Sequence, residues 1–132
     1  MTDCESEVFT RLCAVLEQQF DGIEVTDQEN RQPESFPHVS VVMADNPQRR
    51  QNLDSGKADY REPSFLINVH SNKGYGAKEE CKKVMGVIDE IMRGMNFVCT
   101  FMQPISNLYD ATIYRLTARY VGVYDGKHFY RR

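Results

Sequence analysis

The chain of 132 residues, with 41% hydrophobic and 27% charged residues, has the length and composition of an ordinary globular protein, and we expect residues 1–132 to form a single domain. Its 16 basic and 19 acidic residues give a net charge of −3, which argues against a general nucleic-acid binder. No apolar run approaches the roughly 20 residues that a membrane-spanning helix needs, so we expect no membrane partner.

The first predicted elements are a helix and a short strand. Thr2 and Glu5 have the spacing of a capping box at the start of a helix. Asp21 and Gly22 predict the end of this helix, residues 23–26 predict a short strand, and the polar residues 27–35 predict a surface loop. The apolar residues of the helix recur at steps of three and four and predict one buried face: they are Val8, Phe9, Leu12, Cys13, Leu16 and Phe20.

Residues 36–63 predict a strand followed by a long arm. Val39, Val41 and Met43 alternate with other residues, which is typical of a strand with one buried face. Residues 44–63 contain Asn-Pro, Asp-Ser-Gly and Glu-Pro sequences and few large apolar residues, and a connection of this length is uncommon in a compact domain unless it is functional or disordered. Because the flanking segments look like neighbouring antiparallel strands, we predict a long β-hairpin arm, with a floppy insertion of no function as the alternative.

The segment 64–95 organises the chain as a buried strand, a glycine turn and a long amphipathic helix. Phe65, Ile67 and Val69 alternate along the strand, and the turn at residues 71–76 contains two glycines. A glycine turn before a helix can bind phosphate, but this one lacks the order of a nucleotide-binding loop, and we expect a plain turn. Apolar residues spaced by three and four then predict a core-facing stripe on the helix: they are Ala77, Cys81, Val84, Met85, Ile88, Ile91, Met92 and Met95.

The C-terminal third predicts three further strands. Residues 97–102 predict a strand with Phe97, Cys99 and Phe101 on one side. Residues 111–124 predict a long strand with Arg115 and Arg119 on the solvent face, about 13 Å apart at the usual rise of about 3.3 Å per residue, and residues 128–132 predict a short last strand. The element order predicts an α+β fold, in which two helices pack on one face of a mainly antiparallel sheet that carries the long β-hairpin arm.

The chain has only weak candidates for catalysis or metal binding. His38, His70 and His128 are separated in the sequence, and each is expected to be an isolated, half-buried or surface imidazole. Asp45 and Glu62, at the two ends of the arm, would together suit a divalent metal, but no lysine is predicted beside them on a strand, as a nuclease would require. We predict no catalytic residue, no metal site, no cofactor and no enzymatic activity; a small metal-dependent nuclease and a DNA-binding module are the alternatives.

Three sequence stretches carry a resemblance to a known family. They are Phe36-Pro37-His38-Val39, the segment 68–74, and Asn107-Leu108-Tyr109-Asp110 followed by Tyr114-Arg115 and Arg119-Tyr120. Over roughly residues 5–132 the chain resembles the tail terminator, or tail completion, proteins of long-tailed bacteriophages, which are small α+β domains of this size and element order. Other phage head-tail connector or neck proteins are also small α+β domains and are the alternative.

The resemblance implies a structural virion protein of the tail or neck, assembled in the host cytoplasm. It implies a homo-oligomeric ring, usually a hexamer, that caps the tail tube, ends its polymerisation and joins the tail to the head. The implied partners are other copies of the chain, the tail tube protein and the head connector or neck proteins, while DNA passes through without specific binding. A closed ring that matches one face of the tube and presents a different surface on the other side would stop an otherwise open stack.

Five arginines are the predicted subunit or partner contacts. A long polar arm can reach a neighbouring subunit and become ordered on assembly, and a strand with exposed arginines can meet an acidic partner. The candidates are Arg49, Arg50 and Arg61 in the arm and Arg115 and Arg119 on the strand. The alternative for the two strand arginines is that they only keep an exposed sheet face soluble.

Overall fold

The computed structural model describes residues 3–28, 36–48, 60–105 and 112–130. Within these ranges neither helix is both long enough and apolar enough to cross a membrane. The elements, in chain order, are α1 (Glu5–Gln19), β1 (Glu24–Thr26), β2 (His38–Asp45), β3 (Ser64–Ser71), a 3-10 turn (Gly74–Gly76), α2 (Ala77–Gly94), β4 (Val98–Pro104), β5 (Tyr114–Val121), β6 (Val123–Tyr124) and β7 (Phe129–Tyr130).

The described strands form a main sheet of five strands in the order β1-β2-β3-β5-β4 and a small sheet of β6 and β7. β1 runs parallel to β2, and the other neighbours in the main sheet are antiparallel. The predicted α+β class, with two helices and a mainly antiparallel sheet, is confirmed. So is the antiparallel pairing of the two strands that flank the arm, whereas residues 49–59 of the arm lie outside the described residues.

The hydrophobic core lies between one face of the main sheet and the two helices. Phe65, Ile67 and Val69 of β3 are fully buried there, as their alternation predicts. Leu12 of α1 and Ile88 of α2 are buried in the same cluster, so apolar transfer drives both helices onto this face. The hydroxyl of Tyr120, on the same face of β5, donates a hydrogen bond of 2.7 Å to Asp89 of α2, which adds a polar tie between sheet and helix.

Polar side chains form hydrogen bonds at the start of α1 and just beyond the end of α2. The backbone N–H of Glu5 donates to Asp3 Oδ1 at 2.9 Å, so Asp3 binds a free backbone donor at the start of α1; Thr2, the predicted cap, lies outside the described residues. Beyond α2, Asn96 has a φ of 66°, a left-handed conformation that asparagine tolerates, and its amide donates to Phe129 O at 3.0 Å. The small C-terminal sheet is thereby tied to the end of α2.

The prediction that Phe97, Cys99 and Phe101 share one side is wrong for Phe101. The ladder between β4 and β5 shifts register between Cys99 and Phe101. Cys99 therefore lies opposite Tyr120, whereas Phe101 lies opposite Arg119 on the other face of the sheet. A β-bulge inserts one residue into a strand and so reverses the alternation beyond it, which sequence spacing alone does not indicate.

Candidate interaction surfaces

Part of the sheet face that points away from the helices is polar, and most of its polar side chains are buried or half-buried. Strand register aligns two transverse rows of side chains across this face. The first row consists of Glu24, His38, His70 and Arg115, and the second of Thr26, Ser40, Asn68 and Thr117. Paired positions on adjacent strands bring side chains within interaction distance, so each row is a potential polar network.

Two histidines meet in the first row. His38 is 0% exposed, His70 is 2% exposed, and their ring centroids lie 5.9 Å apart in an edge-to-face arrangement. Burial lowers the pKa of His38, and the nearby Glu24, whose Oε1 is 3.8 Å from His38 Nδ1, opposes this shift. The interpretation of these histidines as isolated, half-buried residues is therefore wrong, while His128 lies at the surface as expected.

The contact between His38 and His70 could have been predicted from the sequence. His38 begins β2 and His70 lies near the end of β3, so an antiparallel hairpin of the predicted strands brings the two rings together. Spacing along the chain does not reveal this contact, because 31 residues, 39–69, separate the two histidines in the sequence.

Asn68 in the second row holds Arg115, one of the candidate arginines, by a hydrogen bond. The side-chain oxygen Oδ1 of the buried Asn68 accepts hydrogen bonds from Arg115 Nε at 2.9 Å and from Thr117 Oγ1 at 2.6 Å. Arg115 is therefore half-buried and held against the sheet. Its guanidinium therefore has a structural role, whereas the alternation predicts a fully exposed side chain.

Arg119, four residues beyond Arg115 on the same face of β5, is exposed and lines an open cavity of about 300 Å³. Asp45, Glu62, Ser64 and Thr100 line the same cavity. The structure therefore brings together the two carboxylates considered for a metal, but it places a guanidinium beside them, which disfavours a cation by charge repulsion. Among the described residues no cluster of three or more histidine, cysteine, aspartate or glutamate side chains has the geometry to hold a metal.

The base of the arm is anchored by backbone pairing. Arg61 and Tyr124 exchange two backbone hydrogen bonds of 2.8 and 2.9 Å, and Arg61 also forms a bridge with Gln48. The Arg61 side chain donates from Nη1 to Asn46 O at 3.3 Å. Arg61 is thus part of a hydrogen-bonded base that joins β2 to the C-terminal strands, while Arg49 and Arg50 lie outside the described residues.

Comparison with known proteins gives a likeness of fold. No family model matches the chain, and no curated protein matches it. Among solved structures, the chain is similar to one from the "Virion of native gene transfer agent (GTA) particle", with a TM-score of 0.58 and 11% sequence identity over 89% of this chain and 88% of that chain. The two chains share a fold across most of their lengths.

Proposed function

We propose that this protein is a structural component of a phage-like virion and acts without enzymatic activity. The observation that carries this proposal is the fold shared with a virion chain over 89% of the present chain. The chemistry of the surface agrees with such a role, because Arg115 and Thr117 on the sheet bind Asn68 and the cavity beside Arg119 mixes two carboxylates with a guanidinium. These are features of contact surfaces rather than of a poised nucleophile or metal.

Within a virion, the role we propose is that of a tail terminator. A hexameric ring of this chain would bind the end of the tail tube, stop further subunits from adding, and offer its opposite surface to the head connector or neck proteins. Ring closure solves the physical problem of ending an open stack of identical faces. The net charge of −3 suits a passage through which DNA moves without specific binding.

The anchored arm base supports a role for the arm in assembly. Backbone bonds from Arg61 to Tyr124, and from Glu62 N–H to Pro47 O at 2.9 Å, set the direction in which the chain leaves and re-enters the sheet. A segment that departs from a rigid base can reach a neighbouring subunit at a lower entropic cost than one with mobile ends. In this role Arg49 and Arg50 would contact the neighbour, and Arg119 would meet an acidic partner surface.

Solution mass by light scattering over a wide concentration range tests the ring directly. Six copies of 15.3 kDa would give a closed species of about 92 kDa. Binding of that species to the ends of isolated tail tubes, seen by electron microscopy, would support a terminator, whereas binding to the head connector alone would identify a different neck protein. A monomer at every concentration that also fails to bind tubes would contradict the proposal.

A deletion of residues 49–57 separates assembly from folding. Gln48 is kept because it pairs with Arg61 at the base of the arm. We expect cooperative unfolding to persist and the ring, or its binding to tubes, to be lost. Loss of folding would instead assign the arm to the core. The nuclease alternative predicts Mg²⁺-dependent DNA cleavage that disappears in Asp45→Ala, and a DNA-binding module predicts affinity that falls steeply with salt.

A further inference from the structure

β4 forms one edge of the main sheet, and this edge strand carries no charged side chain. Val98–Pro104 contains no charged residue, and the side chains of Val98 and Met102 are 45% and 43% exposed. Natural sheet edges commonly carry charges, or are covered, because unpaired backbone groups recruit further strands. Here the bulge near Cys99 and the proline at position 104 limit the regular edge to a short run between them.

The direction of the backbone groups in this run follows from one hydrogen bond. The N–H of Ile105 donates to Arg115 O in β5 at 3.0 Å, and the register is regular from Phe101 to Pro104. Because backbone groups alternate in direction along an antiparallel strand, those of Gln103 point to β5, and the N–H and C=O of Met102 point outward. Pro104 occupies a position where an N–H would point outward, so its ring costs no bond to β5.

β1 forms the opposite edge of the same sheet and is also short. It comprises three residues, Glu24–Thr26. The N–H of Glu24 donates to Pro37 O at 3.1 Å, beside β2, so the backbone N–H of Val25 points away from β2. β4 carries no charge that would repel Glu24. One molecule therefore presents, on opposite sides, two short edges that can pair with each other in a second copy.

We propose that β4 of one subunit pairs through the backbone of Met102 with β1 of a second copy, so that the main sheet continues from subunit to subunit. This inference rests on the ring proposed above and names its interface. A head-to-tail ring requires two different contact surfaces on opposite sides of each subunit, and the two edges of one sheet meet that requirement. Strand addition of this kind draws its affinity from backbone hydrogen bonds, which explains why β4 needs no charged side chain.

Met102→Pro tests the interface on the full chain, with Met102→Leu as the matched control. The proline removes the outward N–H and leaves the bonds of Gln103 and Ile105 to β5 in place. We expect the variant to unfold cooperatively, like the parent, but to weaken ring formation at least tenfold in light scattering. Met102→Leu should assemble like the parent. If Met102→Pro forms the 92 kDa species at the parent's concentration, the β4 interface is wrong while the ring itself stands.

Hydrogen exchange on the unchanged protein gives a second, independent reading. The amide of Met102 should exchange rapidly in the monomer and become protected in the ring, whereas the amide of Gln103 should be protected in both. Equal exchange at Met102 in monomer and ring would overturn the proposal. The Met102 amide could instead become protected only when the protein binds tail tubes, with no ring formed in solution or on the tube. That result would show that the β4 edge pairs with the tube protein and would overturn the proposal that its partner is a second copy.

Discussion

The two faces of β3, in the middle of the main sheet, are both largely buried, yet they are held by different forces. On the helix side, Ile67 and its neighbours pack against apolar side chains of α1 and α2. On the opposite side, Asn68 lies in a row of polar groups and bonds to Arg115 and Thr117. Adjacent residues of one strand thus enter an apolar core and a polar network, and their mutation should have different costs.

The difference shows why burial alone does not measure a residue's contribution. An apolar side chain stabilises the fold roughly in proportion to the area it removes from water. A buried hydrogen bond adds little net stability, because the unfolded chain bonds to water, but an orphaned partner is costly. Mutations on the helix side should therefore act through cavities, and those on the polar side through unsatisfied groups.

The largest effect is expected from Ile67→Ala. This change removes buried methyl and methylene groups from the centre of the core and leaves a cavity, and we expect a loss of about 2–5 kcal/mol of unfolding free energy. The matched control is Leu66→Ala, on the half-buried opposite face, where a smaller loss is expected. Equal losses in urea denaturation would contradict the assignment of the core to one face.

A smaller loss is expected from Asn68→Ala. The change leaves Arg115 Nε and Thr117 Oγ1 without their acceptor, at a cost of about 1–3 kcal/mol. Ser40→Ala is the control, because Ser40 lies beside Asn68 and its buried hydroxyl has no hydrogen-bond partner among the described residues. We expect Ser40→Ala to be near neutral in the same denaturation assay. A loss there as large as that of Asn68→Ala would reject the network as the cause.

The polar face should also make the fold sensitive to acid. Burial lowers the pKa of His38 from its ordinary value of 6.5, so the unfolded chain binds this proton more readily than the folded chain. His38 therefore costs no stability well above pH 6.5 and lowers the unfolding free energy as the pH falls below that value. Denaturation at a series of pH values should show the decline, and His38→Gln should flatten it. An unchanged slope in the variant would place the acid sensitivity elsewhere.

The smallest effect on stability is expected at the edge of the polar face. Arg119 is exposed, so Arg119→Ala should change the unfolding free energy by less than about 0.5 kcal/mol. Arg115→Ala should cost more, because it also removes a bond to Asn68. For assembly we expect the opposite ranking, with Arg119→Ala weakening the binding of an acidic partner more. Light scattering and tube binding, measured beside denaturation on both variants, check this reversal.

Periodicity predicted most of the architecture. Alternation at residues 65–69 and the three-and-four spacing from Ala77 to Met95 identified the central strand, the long helix and their buried faces, because one solvated face and one apolar face leave a repeating pattern in the sequence. Arg115 and Arg119 were likewise predicted on one face of the long C-terminal strand, and the residues that alternate with them in β5, Leu116, Ala118 and Tyr120, lie in the core. The role of the five arginines as subunit or partner contacts stays a prediction. The structure distinguishes two of them, because Arg115 bonds to Asn68 whereas Arg119 is exposed.

The sequence by itself determined the α+β class, the order of elements and the apolar face of each regular element, though not of the bulged strand β4, since these depend on local periodicity. Only the tertiary structure decided which polar residues come together: His38 contacts His70, Asn68 bonds to Arg115, and Asp45 lines the same cavity as Arg119. It also decided the bulge that moves Phe101 across the sheet. Such contacts depend on strand register between distant segments, and a shift of one residue changes every pair without altering the local pattern.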